Sequence, residues 1–183
     1  MKREEALNLM KENIKQKNLQ KHCLAVEAVM GRLAEYFDQD KEKWKLAGLL
    51  HDIDYEETAD EPEKHSLIGA DMLGEMGIED DIVEAVRAHN GMHELPRNTL
   101  MAKALYASDP LTGLIVASAL IHPDKKLSAL DTEFIMNRYG ENSFAKGADR
   151  DVIASCKEMD LELEEFIELS LEGMQNISDE LGL

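Results

Sequence analysis

The sequence predicts an all-α fold, because apolar residues recur at three- and four-residue steps through nearly every segment of the 183-residue chain. The period-two alternation and the β-branched residues that are typical of strands are scarce. A chain of this length can bury the core of one domain, and it contains neither internal repeats nor long linkers rich in proline, glycine or serine. We therefore expect a single helical domain over residues 1–183.

Eight helices follow from this periodicity, bounded by residues that start or end helices. Pro62 suits the first position of the fourth helix, while Gly77 and Gly140 suit positions just after the fourth and seventh helices end. Pro110 predicts a kink or break in the sixth helix, and Gly173 is the corresponding candidate in the last. The predicted helices cover residues 3–15, 19–37, 41–53, 62–76, 80–89, 98–121, 131–139 and 150–180.

The acidic composition indicates which partners to expect. A formal net charge of −18 would repel a nucleic-acid backbone unless basic residues were gathered on one surface, so we expect no nucleic acid partner. The acidity is greatest from Lys157 to Leu183, which we interpret as a solvated helical face. That face could also pack against another subunit, so a homo-oligomer is also compatible with the sequence.

The cysteine pattern and the apolar segments predict a cytoplasmic protein. Cys23 and Cys156 lie far apart without CxxC spacing, so neither a disulfide framework nor a zinc ribbon is indicated. The N-terminal residues lack the continuous apolar stretch of a signal peptide, and the apolar stretch from Leu111 to Ile121 is too short to cross a bilayer. We therefore expect no membrane partner.

A histidine and an aspartate at the end of an apolar helix are the first candidates for a chemical site. His51 and Asp52 follow an apolar segment that begins at Trp44, and such a pair is costly to bury unpaired. A neutral imidazole and an adjacent carboxylate are natural ligands for a divalent transition metal. An isolated pair of this kind is more often a histidine at the end of a helix beside an exposed aspartate. The pair alone therefore does not establish a metal site.

Four further residues occupy helix positions from which they could share an interior site. His22 belongs to the apolar stripe of its helix and should point inward. Asp109 stands in an apolar helical context directly before a proline, where a buried carboxylate needs a cation or several donors. His65 opens one amphipathic helix, and His89 closes the next.

The order of these six residues resembles the ligand series of the HD-domain superfamily. The segments LLHDIDYEETAD, LYASDPLTGLI and SFAKGADR are similar to a group of small bacterial HD proteins described as hydrolases. The resemblance spans residues 18–120 and implies a helical bundle with its core there and a helical extension over residues 121–183. It also implies that a first metal ion is held by His22, His51, Asp52 and Asp109, with Asp52 bridging to a second ion held by His65 and His89. The cofactor would then be one or two divalent transition metal ions, and these ligands do not separate Fe, Mn, Zn, Co and Ni.

The sequence departs from better-known branches of the superfamily, and these departures reduce the range of substrates to expect. The pair is followed by Ile53, Asp54 and Tyr55, without the lysine and the Gly-Tyr-Pro motif of cyclic-di-GMP phosphodiesterases, so that substrate is not expected. Nucleotidase-like members have a glutamate where this chain has Tyr55. Asp54 and Glu56 remain as candidates for a catalytic acid or for a residue that orients a metal ligand, the alternative for both being solvated loop carboxylates.

Few basic residues are available to bind an anionic substrate. Lys103, six residues before Asp109, is expected on the same pocket wall and is a candidate for a catalytic role. Lys146 and Arg150 are predicted to clamp a phosphate if the chain folds back on itself. His93 is predicted to touch substrate at the pocket mouth, the alternative being an exposed loop histidine.

Three functions are compatible with this sequence. The resemblance implies a metal-dependent phosphohydrolase that cleaves a phosphomonoester or phosphodiester of a small phosphorylated molecule, nucleotides included. The same six residues also match the mixed-valent diiron oxygenases of the superfamily, and histidine-rich ligation suits iron. A third interpretation is a non-catalytic signalling module that keeps the metal for stability.

Overall fold

The computed structural model describes residues 1–183 and confirms the all-α fold, with ten α-helices and no strands. The first five helices are α1 (Arg3–Asn13), α2 (Lys17–Tyr36), α3 (Lys41–Leu50), α4 (Leu67–Glu75) and α5 (Asp80–Ala88). The others are α6 (Leu100–Ile121), α7 (Thr132–Tyr139), α8 (Arg150–Ala154), α9 (Leu163–Gln175) and α10 (Ser178–Leu181). Short 3-10 helices cover Gly91–His93, Leu127–Ala129 and Ser155–Met159.

Helices α2 and α6 form the centre of the bundle. Helix α2 packs against α3, α6 and α9, while α6 also packs against α5, α7 and α8. The buried apolar side chains form one continuous core that runs from Ala6 to Leu181. Helix α6 is long and apolar enough to cross a membrane, but 56% of its most apolar stretch is buried inside the bundle, as expected of a core helix.

Gly48 lets α3 approach the backbone of α2. A Cβ atom at this position would lie 2.8 Å from the carbonyl oxygen of Val26 and 2.9 Å from the Cα of Glu27. These are backbone atoms, so a larger residue would have to push the two helices apart. The close contact holds the end of α3, which carries His51, beside α2, which carries His22.

Pro110 and Gly173 do not interrupt their helices, so the break that the sequence offered as an alternative to a kink does not form at either position. Helix α6 continues through Pro110, and Leu111 and Leu114 beyond it are fully buried, which offsets the missing backbone hydrogen bond. Gly173 lies inside α9, where a Cβ would come within 2.9 Å of the Ala28 carbonyl oxygen, so it permits close packing against α2. The predicted helix over residues 150–180 is interrupted earlier, by the 3-10 helix at Ser155–Met159.

The helix predicted from residue 62 begins only at Leu67. Pro62 lies in a run of turns that precedes it, and Ser66 adopts a left-handed backbone with φ of 73° directly before the helix starts. The Ser66 hydroxyl donates to the Arg87 carbonyl oxygen over 3.0 Å, which anchors this conformation to the end of α5. As a result, His65 stands in a turn and not in a helix.

Candidate metal centre

Four helices and one turn bring together the six residues that the sequence analysis selected. His22 lies in α2, His51 and Asp52 follow the last turn of α3, His89 follows α5, and Asp109 lies in the middle of α6. His65 comes from the turn before α4. His51, Asp52 and His89 are at least 96% buried, whereas His22, His65 and Asp109 are partly exposed. The cluster therefore lies at the boundary between the core and the surface.

Asp52 stands in the middle of this cluster. Its Oδ1 lies 3.4 Å from His51 Nε2, 3.3 Å from His65 Nε2 and 3.4 Å from His89 Nε2. Its Oδ2 faces the other side, 3.6 Å from His22 Nε2. Asp109 Oδ1 completes that side, 3.0 Å from His22 Nε2 and 3.8 Å from His51 Nε2. One carboxylate thus faces three imidazoles with one oxygen and the fourth imidazole with the other.

Main-chain carbonyls fix the ring orientation of His51 and His89. His51 Nδ1 donates to the Gly48 carbonyl oxygen over 2.8 Å, and His89 Nδ1 donates to the Val86 carbonyl oxygen over 2.7 Å. Because a carbonyl can only accept, the proton of each neutral ring is on Nδ1 and the lone pair is on Nε2. Both rings lie just after the last turn of a helix, whose negative dipole end also favours a cation there.

Side chains fix the other two rings. His65 Nδ1 donates to Asp54 Oδ1 over 2.9 Å, and Asp54 is fully buried and also accepts from the Gly69 amide. His22 Nδ1 lies 3.2 Å from Thr112 Oγ1, whose own proton goes to the Asp109 carbonyl oxygen. The Thr112 oxygen therefore accepts from His22, so the lone pairs of all four Nε2 atoms point toward the centre of the cluster.

The converging lone pairs and their spacing fit a divalent cation. His22 Nε2 lies 3.2 Å from His51 Nε2, and His65 Nε2 lies 3.2 Å from His89 Nε2. Two lone pairs at this distance repel unless a proton or a cation lies between them. Ligand atoms that share one ion at about 2.0 to 2.2 Å lie about 2.8 to 3.6 Å from one another, and most of the separations in this cluster fall in that range. The set His22, His51, Asp109 and the set His51, Asp52, His89 could each hold a metal ion.

The two carboxylates make the cluster a strongly negative environment. Burial lowers the pKa of His51, but the negative charges of Asp52 and Asp109 outweigh it and raise the pKa to about 9. The pKa of His65 is likewise raised to about 9, because Asp52 and Asp54 outweigh its burial. Burial acts to raise the pKa of Asp52 and of Asp109, yet the surrounding histidines hold both below the ordinary value. The centre therefore favours positive charge, which protons or metal ions can supply.

The cluster forms the floor of an open cavity of about 470 Å³. Tyr55 and Tyr106 stand on its walls, and Asn90, Gly147 and Asp149 lie around its rim. The full lining consists of Leu19, His22, Asp52, Tyr55, His65, His89, Asn90, Gly91, Tyr106, Asp109, Pro110, Gly147, Asp149 and Val152. Neither lysine nor arginine is among them, so the cavity walls bring no fixed positive charge to an anionic ligand.

The two carboxylates considered as catalytic acids lie away from the cavity. Asp54 is fully buried behind the His65 ring, where both of its oxygens accept hydrogen bonds, so it orients a ring and does not face substrate. Glu56 accepts from the Lys15 and Gln16 amides over 2.9 and 2.6 Å and ties its loop to the start of α2. Neither carboxylate lines the cavity, so neither occupies the position expected of a proton donor.

The basic residues expected at the cavity are also placed elsewhere. Lys103 donates to the Glu158 carbonyl oxygen over 3.2 Å and does not line the cavity. The Arg150 guanidinium donates to six main-chain carbonyls between residues 138 and 148, which uses its donors inside the protein. Lys146 is exposed beside Gly147, a rim residue, but is itself outside the lining. The predicted phosphate clamp of Lys146 and Arg150 is therefore not formed.

His93 supports the loop that carries His65. Its Nε2 donates to the His65 carbonyl oxygen over 2.8 Å, and the ring does not line the cavity. The Asn90 amide donates to the same carbonyl over 3.1 Å and to the Pro62 carbonyl over 3.2 Å. His93 is thus neither a substrate contact nor a free loop histidine, the two alternatives that the sequence offered.

Tyr106 is a cavity residue that the sequence analysis did not select. It precedes Asp109 by three residues, which places both side chains on the same face of α6. The Arg97 guanidinium lies over the ring, 3.9 Å from its centroid, and the hydroxyl has no hydrogen-bond partner within the protein. The helical spacing from Asp109 was the signal in the sequence that could have identified it.

Comparisons with known proteins place this chain in a family. The HD domain family matches residues 19–120, more than half of the chain. The chain is 36% identical over 96 residues to Ribonuclease Y of Nitratidesulfovibrio vulgaris, covering 52% of this chain and 18% of that protein. It is 31% identical to Ribonuclease Y of Fervidobacterium nodosum over 137 residues and to that of Pelobacter propionicus over 138 residues, covering 74% of this chain and 26% of each relative. The chain thus spans about a fifth to a quarter of the length of these relatives.

Proposed function

This chain belongs to the HD domain family, a superfamily of metal-dependent phosphohydrolases, and from that premise we propose that it hydrolyses a phosphoester. The proposed substrate is a small phosphorylated molecule, with a phosphomonoester or a phosphodiester as the bond that is cleaved. Nucleotides are within this class. The six residues described above are the proposed ligands of one or two divalent ions. Five of them form the two sets that are spaced to hold an ion, and His65 Nε2 lies 3.3 Å from Asp52 Oδ1.

The observation that carries this proposal is the arrangement of proton positions around the cluster. Each of the four imidazoles gives its Nδ1 proton to a fixed acceptor, so four Nε2 lone pairs and two carboxylates face one point at the floor of an open cavity. Without a metal ion, protons on His51 and His65 would satisfy the inner nitrogens, because the pKa values of both rings are raised to about 9. A divalent cation at the same place would replace these protons and bind the four Nε2 atoms directly.

Hydrolysis forms a bond from a water oxygen to phosphorus and breaks the ester bond, and the departing oxygen must gain a proton. When bound, the metal ions would supply Lewis acidity toward a phosphoryl oxygen and lower the pKa of water. Tyr106 is the proposed donor to a substrate oxygen, because its unpaired hydroxyl stands on the cavity wall one helical turn from Asp109. Asp54 and Thr112 keep two of the rings in the required orientation.

The electrostatics of the cavity favour a small substrate with little negative charge. Its lining contains three aspartates and no lysine or arginine. Since Asp52 and Asp109 are proposed metal ligands, a phosphate beyond the one at the metal centre would meet Asp149 without a lysine or arginine to offset its charge. A monophosphate ester fits this environment better than a triphosphate or a polymer.

The test is metal reconstitution followed by a substrate screen. Protein stripped with chelator is loaded separately with Mn, Fe, Co, Ni or Zn and assayed for phosphate release from a panel of phosphate esters. We expect turnover that depends on the metal and is abolished in Asp52→Ala, since that variant removes the ligand shared by both sides of the cluster and with it nearly all bound metal. Asp60→Ala, which replaces an exposed aspartate outside the cavity, is the matched control and should retain both the bound metal and the turnover.

The outcomes separate the three functions compatible with the sequence. Near-normal metal content in Asp52→Ala would contradict the ligand assignment. A coupled diiron signal by electron paramagnetic resonance, with dioxygen consumption and no phosphate release, would assign the oxygenase chemistry. Bound metal with no turnover across the panel would leave the signalling module as the function.

RNA is a second candidate substrate, because the curated relatives are named Ribonuclease Y. The net charge of −18 and the acidic cavity oppose binding of a long polymer, so a short RNA end would be the form that fits. The direct comparison is one of kcat/KM among a 5′-labelled RNA 12-mer, a dinucleotide and a mononucleotide. Cleavage of the 12-mer with higher kcat/KM, and a steep loss of affinity with salt, would favour RNA.

A further inference from the structure

A second cavity of about 410 Å³ opens beside the candidate metal centre, between α2, α6 and the residues around Leu181. We call it the apolar annex. Five of its eleven lining residues are aliphatic, namely Ala25, Val116, Leu120, Leu181 and Leu183. Leu120 is 53% exposed, which leaves apolar surface open to water at one end of this cavity.

The annex adjoins the metal centre at His22. His22 lines both the annex and the main cavity, and Thr112, the partner of its Nδ1, lines the annex as well. A third cavity of about 280 Å³ lies next to both, since it shares His22 and Asp109 with the main cavity and His22 and Gly113 with the annex. The imidazole of His22 borders all three cavities, so a ligand held at the metal centre would pass this ring to reach the annex.

One stripe of α6 lines this whole path. Tyr106, Asp109, Gly113, Val116 and Leu120 follow one another at three- or four-residue steps, so they lie on the same face of the helix. The stripe changes from polar at Tyr106 and Asp109 to apolar at Val116 and Leu120. With a rise of about 1.5 Å per residue, the apolar part extends roughly 16 Å from Asp109.

The charges along the annex argue for an uncharged occupant. Lys21 is the one lysine or arginine in its lining, and its Nζ already donates to the Leu181 carbonyl oxygen over 2.7 Å. A second phosphate or a nucleic acid strand would therefore find little to hold it there. An aliphatic group would instead cover Val116 and Leu120 and remove them from water.

We propose that the annex binds the apolar organic group of the substrate, so that the substrate is an amphiphilic phosphoester with its phosphate at the metal centre. This inference rests on the proposed phosphohydrolase function. It adds a substrate class, namely phosphate esters of aliphatic alcohols that are long enough to reach from His22 toward Leu120.

The kinetic test uses a series of n-alkyl phosphates, from ethyl through butyl and hexyl to octyl, with metal-loaded protein. We expect kcat/KM to rise by up to about fourfold for each methylene that the annex buries, through a fall in KM. Val116→Trp should bring the octyl-to-ethyl ratio of kcat/KM close to one. Ile121→Trp, an exposed position of α6 that lines neither cavity, should keep the wild-type ratio. Leu120→Asp, at the exposed end, serves if Val116→Trp does not fold.

A binding measurement separates the annex from the proposed activity. Titration of n-octylphosphonate and ethylphosphonate, which have no ester bond to hydrolyse, into metal-loaded protein should give tighter binding for the longer chain and a negative heat-capacity change, and Val116→Trp should remove both effects. If these are observed without turnover of any ester, the annex is supported and the proposed function fails. Turnover without dependence on chain length would overturn the annex alone. A dimer by light scattering that Val116→Trp dissociates would assign this surface to a second copy and overturn the inference.

Discussion

At the scale of single residues, the candidate site depends on side chains that never touch a ligand. Asp54 receives the Nδ1 proton of His65 and the Gly69 amide, and is itself fully buried. Such partners hold an imidazole in one tautomer and raise its basicity as a ligand. Asp54 therefore acts through His65 and is a positioning residue.

Replacing this carboxylate by an amide tests that role. In Asp54→Asn the amide can present its nitrogen to His65, which favours the tautomer with the proton on Nε2. We expect metal affinity to fall about 10- to 100-fold, with little loss of folding cooperativity. Competition with a metal-sensitive dye measures the affinity, and urea unfolding monitors the fold. Asp60→Asn is the matched exposed control, and an equal loss of affinity there would rule out a specific role for Asp54.

The proposed contact from Tyr106 predicts a dependence on the leaving group. Tyr106→Phe keeps the ring under Arg97 and removes only the hydroxyl. We expect kcat to fall about 10-fold or more for an alkyl phosphate, whose departing oxygen needs a proton, and much less for 4-nitrophenyl phosphate. Tyr36→Phe, which removes a surface hydroxyl bonded to Glu165, should leave both rates unchanged. The same loss for both esters would limit Tyr106 to a structural role.

At the scale of helices, the approach of α3 to α2 sets the distance between His51 and His22. Gly48 is the contact that makes it possible, because backbone atoms of α2 occupy the place of a Cβ. The geometry of the cluster is thus determined partly by a residue one turn away from it.

A methyl group at this contact should separate the two helices. We expect Gly48→Ala to lower the free energy of unfolding by about 1 to 3 kcal/mol, despite the higher helix propensity of alanine. Gly74→Ala is the matched control, since its Cβ would meet only a Val83 methyl at 4.0 Å, and it should be stabilising by about 0.5 to 1 kcal/mol. Urea unfolding gives both values. Equal stability of the two variants would show that the α2–α3 contact can relax freely.

The helices and the six clustered residues were predictable from the sequence for different reasons. The helices follow from periodicity, and the cluster from the resemblance to a ligand series. Pro110 and Gly173 were misinterpreted because their local preferences are outweighed by burial and by close helix packing, neither of which is encoded nearby in the chain. Arg150 was misplaced for a related reason, since the turn between α7 and α8 offers it main-chain carbonyls that no sequence pattern reveals.

At the scale of the whole molecule, the charge of the cluster links stability to pH. In metal-free protein the pKa values of His51 and His65 are raised to about 9 from an ordinary 6.5. Their protonation then stabilises the folded state fully below about pH 6.5, and this stabilisation is lost as pH rises through 9. Asp52 and Asp109 have lowered pKa values, so their contribution is present above about pH 4 and is lost as pH falls further.

Chelator-treated protein should therefore be most stable between about pH 4 and 6.5 and should lose stability steadily toward pH 9. Metal-loaded protein should show the opposite trend above pH 6, because the ion needs the deprotonated rings and its binding releases protons. Thermal unfolding across this range, with and without metal, measures both curves. Metal-free stability that is flat from pH 6.5 to 9 would contradict the charge state assigned to the cluster.

Two of the four rings take their orientation from main-chain carbonyls of their own helices, at Gly48 and Val86. The main-chain carbonyl is present whatever side chain occupies those positions, so a substitution there leaves the hydrogen-bond acceptor in place. The other two rings depend on Asp54 and Thr112, where nearly any replacement removes the acceptor. Among variants that still fold, metal binding should therefore tolerate apolar replacements at the buried position 86 far better than replacements at positions 54 and 112.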